Sequence, residues 1–105
     1  MHLSELSRAL HILGQVDPHA FPLHHAQILC LISEKGSVTY ADIEESLGLS
    51  NAGISRSLNT LSDSVRHRKK CFGLVEIYRD PDEGRRYRVR LTAKGLALFR
   101  TIEAC

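Results

Sequence analysis

Side chains that can pair with the edge of a nucleic-acid base recur at helical spacing in the middle of the chain. They are the side chains of Ser50, Asn51, Ala52, Ser55, Arg56 and Asn59. Arginine can make bidentate hydrogen bonds to guanine and asparagine to adenine, and serine can bond to a base or a phosphate. An alanine methyl group can contact the methyl group of thymine. The spacing therefore predicts contacts to DNA from one helix face. The alternative is that each is an ordinary polar residue exposed to solvent.

A basic cluster follows at Arg66, His67, Arg68, Lys69 and Lys70. Runs of charge are usually solvated, which is the alternative interpretation. Because this cluster comes directly after the positions suited to base contacts, we predict that it contacts phosphates. Ser37 and Thr39 are also able to donate to phosphate, although Thr39 is better suited to cap a helix.

Arginines alternate with apolar residues near the end of the chain, in the string RRYRVRL. They are Arg86, Arg88 and Arg90. The preceding LVEIYR alternates as well, and the DPDEG between the two strings is typical of a turn. The pattern predicts a two-stranded hairpin with one basic face, able to follow phosphates and enter a minor groove. The alternative is a strand face exposed to water.

The positions suited to base contacts require a helix, and the apolar residues among them predict one. They are Ile54, Leu58, Leu61 and Val65, at steps of four, three and four. Ser50 is a candidate N-cap for this helix. The preceding YADIEESLG, opened by Thr39 in a Thr-x-x-Asp pattern, predicts a short helix that ends at Gly48. Two helices joined by a Gly-containing turn form the helix-turn-helix pattern.

Three further helices complete the predicted domain. Leucines at three- and four-residue steps predict a first helix that ends near Gly14, and periodicity resumes over residues 24–35. In this second helix we expect Ala26, Leu29 and Ile32 to face the core. Thr92 caps a last helix that runs to the chain end. The order α-α-α-α-β-β-α predicts a mainly α fold with a small β-hairpin, a single winged helix-turn-helix domain over residues 1–105.

Composition fits one small domain. The 105 residues are 43% hydrophobic and 25% charged, which excludes a disordered chain. No apolar run is long enough to span a membrane. The three cysteines form no CxxC pair, which argues against a disulfide framework and a structural zinc site. Residues 56–90 hold ten Lys/Arg against five Asp/Glu, so the second half is basic. We expect a cytoplasmic protein that makes no membrane contact.

Catalysis and cofactors find no support in the sequence. No Gly-rich phosphate loop, paired carboxylates or Ser/Cys-His-acid grouping occurs, so we expect neither an enzyme nor a cofactor. Cys30, within ILCLI, fits a small buried residue better than a nucleophile, and Cys71 beside basic residues offers a redox alternative. His24 and His25 point about 100° apart on a helix, so we expect no metal site there.

Three strings stand out together: LGLSNAGISRSL, GLVEIYRDPDEGRRYRVRLT and LTAKGLAL. They resemble the MarR family of winged-helix transcription regulators over about residues 26–102. By this resemblance, Arg85 enters the minor groove, and Glu83 stands where the family usually places an acidic residue that pairs with the wing-tip arginine. Compared with the family, DSVRHRKKCF adds about six residues before Gly73, as a longer helix or an inserted basic loop. Many members also continue into a further long helix that builds the dimer interface.

These patterns together predict a sequence-specific double-stranded DNA-binding transcriptional regulator, a repressor that binds a pseudo-palindromic operator as a homodimer. The predicted dimerisation helices cover residues 1–14 and 92–105. Their interface residues are Leu3, Leu6, Leu10, Leu13, Leu98, Phe99 and Ile102. The alternative is a winged-helix adaptor for protein interactions in a replication or host-takeover complex. A small-molecule effector would fit the family, whose pocket lies beside the dimer interface, but no residue pattern here points to one.

Overall fold

Five helices and three strands succeed one another in the computed structural model, which describes residues 2–62 and 72–104. The helices are α1 (Leu3–Gly14), α2 (Leu23–Lys35), α3 (Tyr40–Leu47), α4 (Asn51–Leu61) and α5 (Ala93–Glu103). The strands are β1 (Val38–Thr39), β2 (Val75–Arg79) and β3 (Tyr87–Leu91). The predicted winged helix-turn-helix order is confirmed, with one addition: the short strand β1 lies between α2 and α3.

Side-chain caps determine where three of these helices begin. Thr39 Oγ1 accepts a hydrogen bond from the backbone N–H of Asp42 at 3.1 Å, and Asp42 Oδ2 accepts one from the N–H of Thr39 at 2.9 Å. The predicted capping box of α3 is therefore present, and the bond from the Thr39 backbone lowers the pKa of Asp42. Ser50 and Thr92 cap α4 and α5 with their hydroxyls. Each such cap typically stabilises a helix by about 1 kcal/mol.

The three strands form one antiparallel sheet in the order β1-β3-β2. Strands β2 and β3 make the predicted hairpin, paired from Val75 opposite Leu91 to Arg79 opposite Tyr87. Strand β1 adds only two pairs to β3, one of them between Thr39 and Arg88. Two residues are too few to show alternation, which is why the sequence does not reveal β1. Its pairing attaches the hairpin to the segment that caps α3.

Helices α2 and α4 pack with the sheet around one hydrophobic core. The side chains without solvent exposure are Ile28, Leu29, Ile32, Val38, Ile43, Ile54, Leu58, Leu61, Val75 and Val89. The prediction that Ala26, Leu29 and Ile32 face the core is confirmed, since Ala26 is also buried. Because the apolar stripe of α4 is held in this core, its polar side is left facing outward.

The two ends of the chain pack partly against each other through α1 and α5. Leu13 and Phe99, both predicted to join two chains, are buried in the core of the chain itself. Leu98 and Ile102 are half-buried against that core. The other three predicted interface leucines, Leu3, Leu6 and Leu10, are 83%, 41% and 47% exposed. The apolar stripe of α1 is thus covered at its C-terminal end and open toward its N-terminus.

Candidate nucleic-acid interface

Helix α4 presents its predicted base-contacting residues on the side away from the core. Asn51, Ala52 and Arg56 are exposed, whereas Ser55 and Asn59 are half-buried. The opposite side, carrying Ile54, Ser57, Leu58 and Leu61, is buried. The structure therefore brings all five candidate residues to one accessible helix face.

The N-terminus of α4 is closed by Ser50, whose Oγ accepts a hydrogen bond from the backbone N–H of Gly53 at 3.1 Å. The serine hydroxyl uses one acceptor position here and keeps its own O–H available as a donor. A Cβ at position 53 would lie 3.1 Å from Ser50 Oγ, so glycine leaves the cap undisturbed. The cap therefore fixes the backbone of the first turn of α4, which carries the candidate base contacts Asn51 and Ala52.

One carboxylate organises the turn of the wing, the hairpin formed by β2 and β3. Asp80 is buried, and its Oδ1 accepts hydrogen bonds from the N–H groups of Asp82 and Glu83 at 2.9 and 3.3 Å. Its Oδ2 accepts from Arg86 at 2.8 and 3.0 Å and from Arg88 at 3.3 Å. The bond from Asp82, followed by those from the two arginines, lowers the pKa of Asp80 to about 2. The carboxylate therefore stays charged and holds both arginines.

Arg88 also reaches from the wing to the segment before α3. Its Nε donates to Ser37 Oγ at 2.9 Å, and its Nη2 donates to the Ser37 carbonyl oxygen at 3.4 Å. The hydroxyls of Ser37 and Tyr78 lie 2.7 Å apart and form a hydrogen bond. Ser37, a candidate phosphate donor from the sequence, is thus bonded within the protein. Thr39, the other candidate, is buried and serves as the cap of α3.

The remaining strand arginines also have partners. Arg90 pairs with Glu76 directly across the hairpin, with Nε and Oε2 at 3.1 Å, and lies over the Tyr78 ring at 4.3 Å. The hydrogen bond to the Glu76 carboxylate raises the pKa of Arg90. Arg79 donates to the Gly84 carbonyl at 3.1 Å and lies 5.6 Å from the Tyr87 ring centre. The predicted face of arginines exists, but the three arginines of that face each carry a carboxylate partner, which reduces its net charge.

Arg85, at the tip of the wing, differs from its neighbours. Within the described residues, no carboxylate lies within ion-pair distance of its guanidinium, so the Glu83–Arg85 pair implied by the resemblance is not formed. The ion pair that the turn does form joins Asp80 to Arg86: the Asp80 N–H donates to the Arg86 carbonyl oxygen, and the Asp80 carboxylate accepts from the Arg86 guanidinium. Arg85 and Arg86 line a cleft of about 370 Å³ between the wing and the start of α3. The tip cation is exposed at the edge of this cleft.

The sequence pattern does not single out Asp80, Tyr78 or the hydrogen-bonded role of Ser37. The turn string DPDEG contains three acidic residues, and the one that organises the wing is selected only when the hairpin closes. A usable signal was nonetheless present, because Asp followed by Pro often starts a turn in which the Asp side chain bonds to the next backbone N–H groups. The predicted contacts Arg66, Arg68, Lys69 and Lys70, together with Cys71, lie outside the described residues.

Histidine pairs, the Cys30 thiol and helix length bear on the metal, thiol and membrane alternatives. No group of three or more His, Cys, Asp or Glu residues close enough to hold an ion is found in the described part of the chain. The rings of His24 and His25 meet edge to face, 4.9 Å between centres. Cys30 is half-buried rather than fully buried, and burial raises the pKa of its thiol. Among residues 2–62 and 72–104, no helix has the length and apolar character needed to cross a bilayer.

Comparison with known proteins settles the family. The profile described as a winged helix DNA-binding domain matches residues 23–95, which include α4 and the wing. The chain belongs to this family. A search of curated proteins by sequence gives no match.

Solved structures of MarR-family regulators share the fold of this winged helix domain. A mutant MarR from E. coli, complexed with operator DNA, superposes with a TM-score of 0.68 at 20% identity, over 96% of this chain and 67% of that one. A mutant MepR from S. aureus, bound to an oligodeoxyribonucleotide, gives 0.71 at 23% identity, over 96% and 67%. ZitR from Lactococcus lactis gives 0.66 at 23% identity, over 80% and 51%. The chain spans about two thirds of the MarR and MepR chains and about half of ZitR.

Proposed function

We propose that this winged helix domain binds double-stranded DNA sequence-specifically and regulates transcription as a repressor that occupies its operator. The observation that carries the proposal is the accessible polar face of α4 on the same domain as a wing whose tip arginine has no carboxylate partner in the described residues. These are the two elements with which winged helix-turn-helix proteins contact the major groove and the flanking minor groove. The DNA-bound MarR and MepR structures, which share the fold, support it.

In this proposal, α4 lies in the major groove. Asn51 and Arg56 are the residues best suited to base edges, because they are exposed and their side chains make bidentate contacts to adenine and guanine. The set is completed by Ala52, Ser55 and Asn59. The Ala52 methyl group is assigned to the methyl group of a thymine. Ser50 donates to the adjacent phosphate with the hydroxyl proton that its cap leaves free.

The wing supplies the second contact. Arg85 enters the minor groove, where a narrow A·T-rich segment concentrates negative potential and attracts a guanidinium. Arg86 is about half exposed although it pairs with Asp80, so its outer N–H groups stay available to a phosphate. The basic cluster follows α4 in the sequence, and we assign it to the DNA phosphates next to the groove that α4 occupies. Its residues are Arg66, Arg68, Lys69 and Lys70.

Dimerisation on a pseudo-palindromic operator is the finer part of the proposal. The exposed Leu6 and Leu10 of α1 border an apolar groove of about 550 Å³ that Leu13, Leu31, Leu47 and Ile102 also line, and Leu3 is exposed on the first turn of the same helix. Contiguous open apolar surfaces mark interaction sites, and the proposal assigns this one to a second copy of the chain. A two-fold dimer would also double the surface buried on DNA, which a single small domain needs for tight binding. The proposal assigns the chain no enzymatic activity, and the comparisons give the adaptor alternative no support.

The experiment that tests the proposal is a selection of bound duplexes from a random pool by the full chain, followed by fluorescence anisotropy on the selected sequence. Arg56→Ala is expected to relax the preference at one base pair per half-site and to weaken binding by about 1 to 3 kcal/mol. The control is Arg8→Ala, an exposed arginine on α1. Failure to enrich any sequence would contradict sequence-specific binding.

A further inference from the structure

Ser37 and Arg88 form a bridge between two parts of the domain that DNA binding requires to act together. Ser37 comes directly before β1, and Thr39 at the end of β1 caps α3, the first helix of the helix-turn-helix unit. Arg88 lies in β3, the strand that rises from the wing tip. The bonds between them therefore join the wing to the segment that positions α3 and, through it, α4.

The backbone connection at this point is weak by itself. Strand β1 contributes two pairs to β3, Val38 with Val89 and Thr39 with Arg88. Short edge pairings of this kind fray readily, because each residue is fixed by few hydrogen bonds. The side-chain hydrogen bonds from Arg88 extend the attachment to Ser37, one residue before the Val38–Val89 pair.

Arg88 has little capacity left for DNA. Its side chain is only 26% exposed. All three of its nitrogens donate within the protein: Nε and Nη2 to Ser37, and Nη1 to Asp80. A guanidinium has five N–H donors in a fixed planar fork, and three of them are committed here in three directions. The geometry is that of a bridge rather than of a phosphate contact.

Tyr78 completes the bridge from the other strand of the hairpin. Its hydroxyl bonds to Ser37 Oγ at 2.7 Å, and in the sheet it lies opposite Arg88. The Ser37 hydroxyl thus connects both strands of the wing to the segment before α3. Asp80 joins the same network at the turn, because it holds Arg88 and Arg86 together.

We propose that Ser37 and Arg88 are positioning residues that fix the angle of the wing, so that Arg85 reaches the minor groove while α4 occupies the major groove. This inference rests on the proposed DNA-binding function and revises the sequence-based assignment of Arg88 as a DNA contact. Arg85 itself is two residues from β3 and has no carboxylate partner in the described residues. Its location relative to α4 therefore depends on how firmly the wing is attached.

The test is a double-mutant cycle with Arg85→Ala, measured by anisotropy of the full chain on a duplex that the wild type selects. Ser37→Ala is expected to weaken binding about fivefold in the wild-type background and less than about twofold in the Arg85→Ala background, a coupling typical of residues in one network. Equal losses in both backgrounds would overturn the proposal, because Ser37 would then act independently of the wing tip.

Arg88→Lys separates a bridge from a charge contact. Lysine keeps the positive charge but cannot donate along three directions to Ser37 and Asp80, so it is expected to lose affinity about as much as Ser37→Ala does. The matched control is Arg90→Lys, on the same face of β3 but in contact with Glu76 and the Tyr78 ring rather than with Ser37 or Asp80, which is expected to keep wild-type affinity. Full affinity of Arg88→Lys would return Arg88 to the DNA contacts and reject the bridge.

A second measurement works without DNA. Amide hydrogen exchange over residues 37–39 and 87–91 is expected to be faster in Ser37→Ala than in Arg90→Lys, because the β1–β3 pairs open more often. Tyr78→Phe, which removes one hydroxyl, replaces Ser37→Ala if that variant loses its cooperative melt. Unchanged exchange contradicts the bridge. If the wild type selects no duplex, only the proposed DNA-binding function is contradicted. The hydrogen-exchange comparison then tests the bridge by itself.

Discussion

At the scale of single residues, the wing shows how carboxylates divide a set of similar cations into different roles. Asp80 holds Arg86 and Arg88, and Glu76 holds Arg90. An arginine that already donates to a carboxylate gains less from a phosphate, because part of its donor capacity and charge is used. Arg85 is the wing arginine with the largest expected gain on DNA.

Arg85→Ala should therefore cost more specific affinity than Arg90→Ala. We expect a loss of about 1 to 3 kcal/mol for Arg85→Ala, largest on operators whose flanks are A·T-rich and have a narrow minor groove. Anisotropy titrations on duplexes with A·T-rich and G·C-rich flanks measure both the loss and its dependence on the flank. Equal affinity of wild type and Arg85→Ala on the A·T-rich duplex would exclude this arginine from the interface.

The Asp80 carboxylate also makes stability depend on pH. Its pKa falls from 3.8 to about 2 in the folded chain, so the unfolded chain takes up the proton at a higher pH than the folded chain. The stabilisation is complete above about pH 4 and is lost as the pH falls toward 2. In Asp80→Asn, the urea midpoint should fall less steeply between pH 4 and 2 than in wild type. Asp82→Asn, an exposed neighbour, is the control, and equal slopes for wild type and Asp80→Asn would contradict the assignment.

At the scale of elements, the sequence predicts what depends on local pattern and misses what depends on closure in space. Two local patterns are enough to predict the helix-turn-helix unit. The cap at Thr39 marks the start of α3, and the apolar stripe of Ile54, Leu58 and Leu61 marks α4, so each pattern lies within a single helix. Strand β1 is missed because a two-residue strand exists only through its partner. The ion pairs of the wing are missed for the same reason, since they join residues six to fourteen positions apart across a turn.

Helix α5 depends on a close approach that only glycine permits. A Cβ at position 95 would collide with the carbonyl oxygen of Leu74, just before β2. Gly95→Ala should therefore lower the free energy of unfolding by about 1 to 3 kcal/mol, the usual cost of overpacking. Gly14→Ala is the matched control, because a Cβ there meets nothing within 4 Å. Denaturant titrations that find the two variants equally stable would disprove the close packing of α5 on Leu74.

At the scale of the whole molecule, charge is distributed unevenly although the formal net charge is only +2. The basic residues concentrate in the half that carries α4 and the wing, so binding should release counterions from DNA. A dimer that makes about 6 to 10 phosphate contacts loses roughly 10³ to 10⁵ in affinity between 50 and 200 mM salt. Replacing Arg68, Lys69 and Lys70 together by Ala should flatten this slope and leave the sequence preference intact. An unchanged slope would identify the cluster as merely solvated.

The apolar surface is distributed unevenly as well, and this bears on assembly. Leu13 and Phe99 are used by the core of one chain, whereas Leu6 and Leu10 stay 41% and 47% exposed beside the groove of about 550 Å³. The apolar stripe of α1 is buried at its C-terminal end only, and its open end is the part that a second copy is expected to cover.

Leu6→Glu combined with Leu10→Glu tests this directly. Four buried carboxylates at a two-fold interface would repel one another and lose hydration, so the double variant should be monomeric. Light scattering should then report the 11.8 kDa of one chain, in place of a dimer of twice that mass. Tight binding to an operator with two half-sites should disappear, while weak binding to one half-site remains. Leu29→Ala should instead lower stability by about 2 to 5 kcal/mol without dissociating the dimer, because that leucine is fully buried inside the chain and does not line the groove. A wild type that is monomeric at tens of micromolar, with a footprint of one half-site, would assign α1 to the single domain alone.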